Sequence, residues 1–328
     1  MTKKTTVKKD INKTKSQKKY QVRNWAEYNR SLIRRGSLDF WVEQGIIKSW
    51  EVKIVPPAKR KRGGQTKYSD HAVETCCLIG KVYRQRLRQT QGLVNSIFRQ
   101  AKLELSVPHY STYSRRGGRL NIRLPIKDKE KVVAILDSTG LKVYGEGEWK
   151  VRKHGYTKRR TWLKLHVSVD EDGEVRAALI TDNHVDDAEA GVDLLNQQPD
   201  DPVEEIDADG AYDKQKMYDV CIERKVKRIN IPPRRDAKIW LHGNRKGDPH
   251  LRDQNLRAIR KSARQKWKTD VGYHKRSLVE TTMYREKVIF GDKINARKIE
   301  NQITEVMLTL KALNYMTYNG MPDSYPVP

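Results

Sequence analysis

Three carboxylates stand where a charge is costly. Asp137 closes the apolar run VVAILD, Asp209 precedes a glycine in DADGAYD, and Glu280 lies in YHKRSLVETTMYREK. An acid at the end of an apolar strand is expensive to bury unless it is paired or holds a metal. In open α/β sheets ligands gather beyond the carboxyl ends of the strands, so Asp137 and Asp209 are expected on that edge. Three hard oxygen donors suit Mg²⁺ or Mn²⁺ rather than a soft metal. Two such ions about 4 Å apart can activate a water or a 3′-hydroxyl and stabilise the leaving oxygen of a phosphodiester. That chemistry also needs cations close by to hold phosphates.

Glu280 carries its own cations. At about 100° per residue, Tyr273, Arg276, Glu280 and Lys287 fall within an arc of about 60° on a helix. Leu278, Val279, Met283, Ile289 and Phe290 fall on the other side. The simplest account is a solvated face with an Arg276–Glu280 pair at i,i+4. The sharper account is a ridge aimed at an anion, with one carboxylate among the cations. Other polar residues compete for roles. Asp207 is two residues from Asp209 on the same strand face. Asp186 and Asp187, in TDNHVDD, suit helix capping or an accessory place at the site. His166 lies near the first acid in sequence, as do Lys153 and His154, which are expected to contact substrate phosphate. Trp267 is expected in the core, with stacking on an unpaired base as the alternative.

The elements around these acids read as one unit. KVVAILDSTGLKVYG is a buried strand ending on Asp137, and TWLKLHVSVDEDGEVRAALIT is two alternating strands around Asp172-Gly173. DDAEAGVDLLNQQ is a helix, VEEIDADGAYD a strand, KQKMYDVCIERK a helix and VKRINIPP a strand. Residues 252–290 and NARKIENQITEVMLTLKALNYM are mostly helical. The order β-β-β-α-β-α-β-α-α predicts an α/β fold with a sheet of mixed strand direction.

The part before residue 126 differs. Residues 1–22 contain eight Lys and one Asp, which reads as a disordered basic tail. Residues 23–55 carry Trp25, Leu32, Leu38, Phe40, Trp41, Ile46, Ile47 and Trp50 as anchors of short helices. Residues 56–67, PPAKRKRGGQTK, are broken by Pro-Pro and Gly-Gly. There Lys59, Arg60, Lys61 and Arg62 form either a charged linker or a basic strap suited to a DNA minor groove. Ser69 reads as an N-cap. Residues 87–117 then have the outline of a helix-turn-helix, with Tyr110, Ser111, Thr112, Arg115 and Arg116 toward the groove.

Composition agrees with a polyanionic partner. The 328 residues hold 67 Lys+Arg against 41 Asp+Glu, a formal net charge of +26. Folding needs no such excess, and nucleic acid is the first candidate for it. There is no apolar run near the length of a membrane span and no apolar h-region at the N-terminus. A cytoplasmic, nucleoid-associated protein is therefore expected, with no membrane. Cys76, Cys77 and Cys221 suit reduced thiols rather than disulfides or a zinc site.

The spacing of Tyr273, Arg276, Glu280 and Lys287 resembles the Y-R-E-K signature of bacterial insertion-sequence DDE transposases. YHKRSLVET, LDSTGLKVYG and DGAYD look like the insertion-sequence-five family in particular. The similarity runs through RSLIRRGSLDFW, LRQTQGLVNSIF, PHYSTYSRR and IPPRRDAKIW, from about residue 24 to 321. The resemblance implies a ribonuclease-H-like catalytic domain over 126–321, followed by a tail at 322–328. It implies a catalytic, metal-binding triad of Asp137, Asp209 and Glu280 with two Mg²⁺, replaceable by Mn²⁺, and it favours Asp209 over Asp207. It also implies a mainly α-helical region at 23–125 that binds terminal inverted repeats. The expected activity is metal-dependent cleavage at the element ends and joining of the 3′-OH to target DNA. Tyr273, Arg276 and Lys287 are expected to contact double-stranded DNA. Two ends must be joined, so a homodimer or larger assembly is expected on DNA. The rival expectations are a non-catalytic DNA-binding derivative and a ribonuclease-H-like nuclease without strand transfer.

Overall fold

The computed structural model describes residues 19–42, 45–52, 66–143, 162–198, 202–241 and 249–327. Lys59, Arg60, Lys61, Arg62, Lys153, His154 and the first 18 residues of the expected basic tail lie outside the described residues.

The C-terminal part is built on β2 (Val132–Val143), β3 (Trp162–Val169), β4 (Val175–Asp182), β5 (Val203–Ala208), β6 (Arg228–Asn230) and β7 (Lys293–Ile294). The sheet order is β4-β3-β2-β5-β6, and β7 pairs with β2. β2–β3 and β3–β4 are antiparallel, whereas β2–β5 and β5–β6 are parallel. The expected mixed sheet is present, in the strand order of a ribonuclease-H-like domain. Helices α6 (Asp187–Asn196) and α7 (Gln215–Glu223) connect the strands.

The alternation along β2 assigns its two faces. Val132, Ala134 and Leu136 enter one core with Ile206, Ala208, Leu194, Leu195 and Met217. Ile135 and Leu141 enter a second core with Val167, Val279, Met283, Val306 and Leu310. That second core lies beneath α10 (Ser277–Phe290) and α11 (Ile299–Asn319). The helical stretch before α10 is interrupted. It consists of α8 (Leu251–Ser262), α9 (Arg264–Asp270) and a 3-10 turn, Tyr273–Arg276. Ala263 and Gly272, at φ 69° and 68°, make the two breaks.

The N-terminal half contains α1 (Trp25–Arg35), α2 (Leu38–Trp41), α3 (Asp70–Val82), α4 (Leu87–Gln100) and α5 (Tyr110–Gly117). Ser69 caps α3, its hydroxyl accepting from the Ala72 N–H. Trp50, Val73, Cys76, Ile79, Val94 and Tyr113 form its core. Burial pushes the Cys76 thiol up to about 12, and all three cysteines are free.

Packing crosses the 125/126 boundary: Trp41, Leu78 and Ile122 share one cluster with Phe290, Leu308 and Ala312. Lys81 adds an ion pair to Glu305 at 2.8 Å. The ends also pair: β1 (Lys19–Val22) and β8 (Ser324–Val327) form an antiparallel two-stranded sheet. Residues 19–22 and 324–327 are therefore strand rather than tail. Backbone pairing between distant segments leaves no local sequence signal.

Candidate active site

β2 outruns β5. The two strands pair through Ile135↔Asp207 and Leu136↔Ala208, where β5 ends. β7 takes up that side of β2 only at Lys142. Between these points the edge of β2 is open, and Asp137 stands at its start. Asp209, the residue after the last paired one, remains extended, at φ −78° and ψ 178°, and its charge acts on Asp137. Its Oδ1 accepts from the Ala211 N–H at 2.8 Å and caps the 3-10 turn Gly210–Tyr212.

The polar ridge of α10 and its preceding turn fills this opening. Arg276 donates to Asp137 Oδ2 at 2.8 Å, and its other terminal nitrogen donates to Glu280. Arg276 thus bridges Asp137 and Glu280, with the charge of Asp209 acting on the pair without a hydrogen bond to it, and Asp137 Oδ1 also accepts from the Ser138 N–H at 2.8 Å. Burial raises the Asp137 pKa above the ordinary carboxylate range. The Ser138 N–H and Arg276 oppose that rise, and the charges of Asp209 and Glu280 add to it.

Tyr273 is buried, and its hydroxyl donates to the Ala208 carbonyl at 3.1 Å. Burial pushes this phenol up to about 12, against the pull of Arg276. Lys287 donates to Thr139 on β2. The i,i+4 pair of the simplest account does exist, and Glu280 is exposed, but Tyr273, Arg276 and Lys287 of the same ridge bond Ala208, Asp137 and Thr139 of the sheet.

The competing residues separate by burial. Asp207 is fully buried; Asn230 Nδ2 donates to its Oδ1 at 2.8 Å and to Glu205 Oε1 at 3.0 Å. Burial pushes the Asp207 carboxyl up to about 6. Asp186 caps α6, accepting from the Ala188 N–H at 3.2 Å, and it pairs with Lys214. Asp187 accepts from Lys164 at 2.8 Å and lies 3.4 Å from His166 Nδ1. Burial pushes His166 down to about 4, so its ring is neutral near pH 7. Trp267 is buried, 6.0 Å from the Tyr273 ring between centroids. Tyr212 was not singled out in the sequence. It is buried under the acids against α6, with no hydrogen-bond partner for its hydroxyl among the described residues.

The expected DNA-reading face of α5 is only partly free. Arg116 is turned inward, donating to the Tyr68 carbonyl at 2.6 Å and pairing with Asp70. Tyr110 is half-buried against the N-terminal core, and Ser111 and Thr112 are half-buried. Arg115 is exposed, bonded to Ser111 Oγ at 3.0 Å. The short helix places one flank against α3, which its Ser/Thr/Tyr/Arg composition did not reveal.

No group of three or more His, Cys, Asp or Glu side chains among the described residues is drawn together closely enough to hold a metal ion. Arg276 is the cation between Asp137 and Glu280 instead. The donor set still fits a hard divalent ion, because all its donors are carboxylate oxygens at one sheet edge.

Two family models, each described as a transposase DDE domain, match the chain, one over residues 33–146 and one over residues 128–315. The chain belongs to the transposase DDE domain family. The second match spans β2 through most of α11 and contains Asp137, Asp209 and Glu280. The first takes in most of the N-terminal helices and runs into β2. As a transposase domain the chain has DNA as its partner, and divalent metals are the general requirement of such domains. No helix among the described residues is long and apolar enough to cross a membrane.

Proposed function

We propose that this protein is an insertion-sequence transposase of the insertion-sequence-five type, acting on the terminal inverted repeats of its own element. The observation that supports this is the Arg276 bridge between Asp137 on β2 and Glu280 on α10, with Asp137 and Asp209 each one residue beyond the last β2–β5 pair, Leu136↔Ala208. Asp137, Asp209 and Glu280 would hold Mg²⁺ or Mn²⁺, which would supply activation of the attacking oxygen and neutralisation of the leaving one.

The reaction is two phosphoryl transfers. In the first, water oxygen bonds to the phosphorus at the element end and the bond to the 3′-oxygen breaks, leaving a 3′-OH. In the second, that 3′-oxygen bonds to a target phosphorus, one target phosphodiester bond breaks and the nucleophile's proton is lost. The chain's own part is to hold and orient. Arg276, released from the acids, and Lys287, released from Thr139, hold phosphate oxygens. Tyr273 keeps the end of β5 in place through the Ala208 carbonyl, so that Asp209 stays aligned. The N-terminal helices bind the repeat, with Arg115 toward the groove and Lys59, Arg60, Lys61 and Arg62 as the strap. Lys153 and His154 contact phosphate. Joining two ends requires at least a homodimer on DNA.

The test uses a labelled duplex carrying the element's end and a supercoiled plasmid, with Mg²⁺ or EDTA. The wild type nicks the end and joins it to plasmid only with metal, and Glu280→Gln binds the duplex but does neither. Binding without cutting under any divalent metal would sink the catalytic claim and leave a DNA-binding protein. Cutting without joined product would leave a nuclease.

A further inference from the structure

Helices α8 and α9 direct four arginines, three and one, at the backbone of one loop. Arg260 donates to the Ala237 carbonyl at 2.9 Å, Arg252 to Lys238 at 2.9 Å and Arg257 to Leu241 at 3.4 Å. Arg264, one residue beyond the link to α9, donates to the Pro233 carbonyl at 2.5 Å. Arg252 also bonds Asp213 at 2.7 Å and lies 4.0 Å over the Trp240 ring. The segment 232–241 is thereby fastened through its carbonyls, which frees its side chains for another partner. Arg234, Arg235 and Lys238 are exposed. Neither Arg234 nor Arg235 has a side-chain hydrogen-bond or ion-pair partner among the described residues.

This loop touches the candidate active site. A Cβ on Gly210, the residue after Asp209, would meet the Pro232 carbonyl oxygen at 3.1 Å. Arg234 is thus two residues from the backbone that abuts the acid's own turn. The surface continues onto exposed Lys261, Lys266 and Lys268 of α8 and α9. From Leu251 to Arg276 there are nine Lys or Arg against two acids. β6, which leads into the loop, is the edge strand of the sheet beyond β5. The N-terminal helices pack on α11 through Trp41, Leu78 and Ile122, not on the 232–241 loop.

We propose that the 232–241 loop, backed by α8 and α9, is a docking surface for target duplex DNA, with Arg234 and Arg235 on its phosphates. Point cations on a fastened backbone hold phosphates without reading bases, which suits a partner of no fixed sequence. This rests on the transposase reading above.

The probe is a fluorescent random-sequence duplex in EDTA, titrated with the full chain over a range of salt. Arg234→Gln/Arg235→Gln is compared with Lys131→Gln/Lys227→Gln, which removes the same charge at the opposite end of β2 and β5. Loss of two phosphate contacts lowers the salt slope by about 2 and weakens binding about tenfold at moderate salt; the control pair stays within about twofold. With pre-cut element ends and plasmid, the Arg234/Arg235 variant joins poorly, while it still nicks uncut ends. An unchanged slope, or an equal loss in the control, overturns the proposal. So does loss of nicking with joining intact, which would assign the surface to donor flank. If the wild type binds no duplex at all, the transposase reading fails together with it. Melting curves of both variants are expected to match the wild type, since the side chains changed are exposed.

Discussion

Arg276 and Asp137, 139 residues apart, are joined by a 2.8 Å hydrogen bond, and the same guanidinium reaches Glu280. A cation here serves Asp137, which burial penalises, and ties it to the exposed Glu280. Arg276→Gln is expected to cut end cleavage at least tenfold, as a charged phosphate contact worth about 1.5–3 kcal/mol is lost. Binding of Mn²⁺ by the DNA-free protein, followed by electron paramagnetic resonance, should be no weaker than in wild type, because guanidinium and metal share the same oxygens. Arg276 opposes the upward push on Asp137, so its loss should move the acidic limb of the pH–rate profile to higher pH. A fall in Mn²⁺ affinity matching the fall in rate would mean that Arg276 organises the acids rather than competing for them.

Tyr273→Phe removes the hydroxyl from a buried carbonyl and nothing else. The bond to Ala208 lies one residue before Asp209. An unsatisfied buried carbonyl costs about 1–3 kcal/mol, and part of that loss should appear as misplacement of Asp209. The expected outcome is a several-fold lower kcat with DNA affinity unchanged, measured by single-turnover cleavage and anisotropy. Loss of affinity with kcat intact would make Tyr273 a DNA contact instead.

The acids were legible because a charge after an apolar run is a local pattern, but β2 does not end on Asp137 as expected: it runs on to Val143, paired with β3, so Asp137 lies inside the strand and only Asp209 follows a strand's end. The ridge was legible for the same reason: Tyr273, Arg276, Glu280 and Lys287 share one arc whether the first turn is α or 3-10. What was hidden depends on pairing at a distance. Arg116 looked free on a polar helix, but its partners are Tyr68 and Asp70 on another element. Trp41 and Phe290, 249 residues apart, share one core that nothing local in either segment reveals. Tyr212 matters through the helix packed beneath it, which no spacing within DGAYD reveals.

A second buried acid has a pH signature away from the site. Glu174 is buried beside Asp170, accepts from the Lys127 N–H at 2.8 Å and is bonded by Tyr318. Burial pushes it up to about 7 from 4.5. Between those values the native state holds the proton that the unfolded chain has lost, so stability falls as pH rises. Glu174→Gln mimics the protonated form. It should match the wild type near pH 5 and be about 2 kcal/mol more stable near pH 8, a few degrees in Tm. Thermal melts at the two pH values decide it; a variant less stable at both would show that the ionised form is the one the fold prefers.

Gly191 on α6 bears on Tyr212. An added Cβ would lie 2.9 Å from Cδ1 and 3.0 Å from Cε1 of that ring, and 3.2 Å from Met217 Sδ. The ring is buried and follows Asp209 in the same turn, so relief requires the turn to shift. Overpacking of this kind costs about 1–3 kcal/mol, less the roughly 1 kcal/mol that alanine gains over glycine in a helix. Gly191→Ala is expected to fold, bind duplex normally and cleave about tenfold more slowly. Cleavage at the wild-type rate would show that the position of Tyr212 is not transmitted to Asp209.

Asp207 and Asp209 offer the sharpest separation, since they are two residues apart, one on β5 and one just past its end. Asp207 is fully buried, bonded by Asn230, and pushed up to about 6 by burial. Asp209 lies past the strand's end, its charge acting on Asp137. Asp207→Asn keeps the shape and removes a charge that burial disfavours. It should cleave within a few-fold of wild type at pH 8 and melt at a similar or higher temperature. Asp209→Asn removes a donor from the acid group and is expected to lower cleavage by about 10³ or more, an effect of about 4 kcal/mol, with duplex binding retained. If Asp207→Asn were the dead variant and Asp209→Asn the active one, the metal-holding carboxylate would be on β5 itself, one alternation earlier, and the site would have to be redrawn beneath Tyr273.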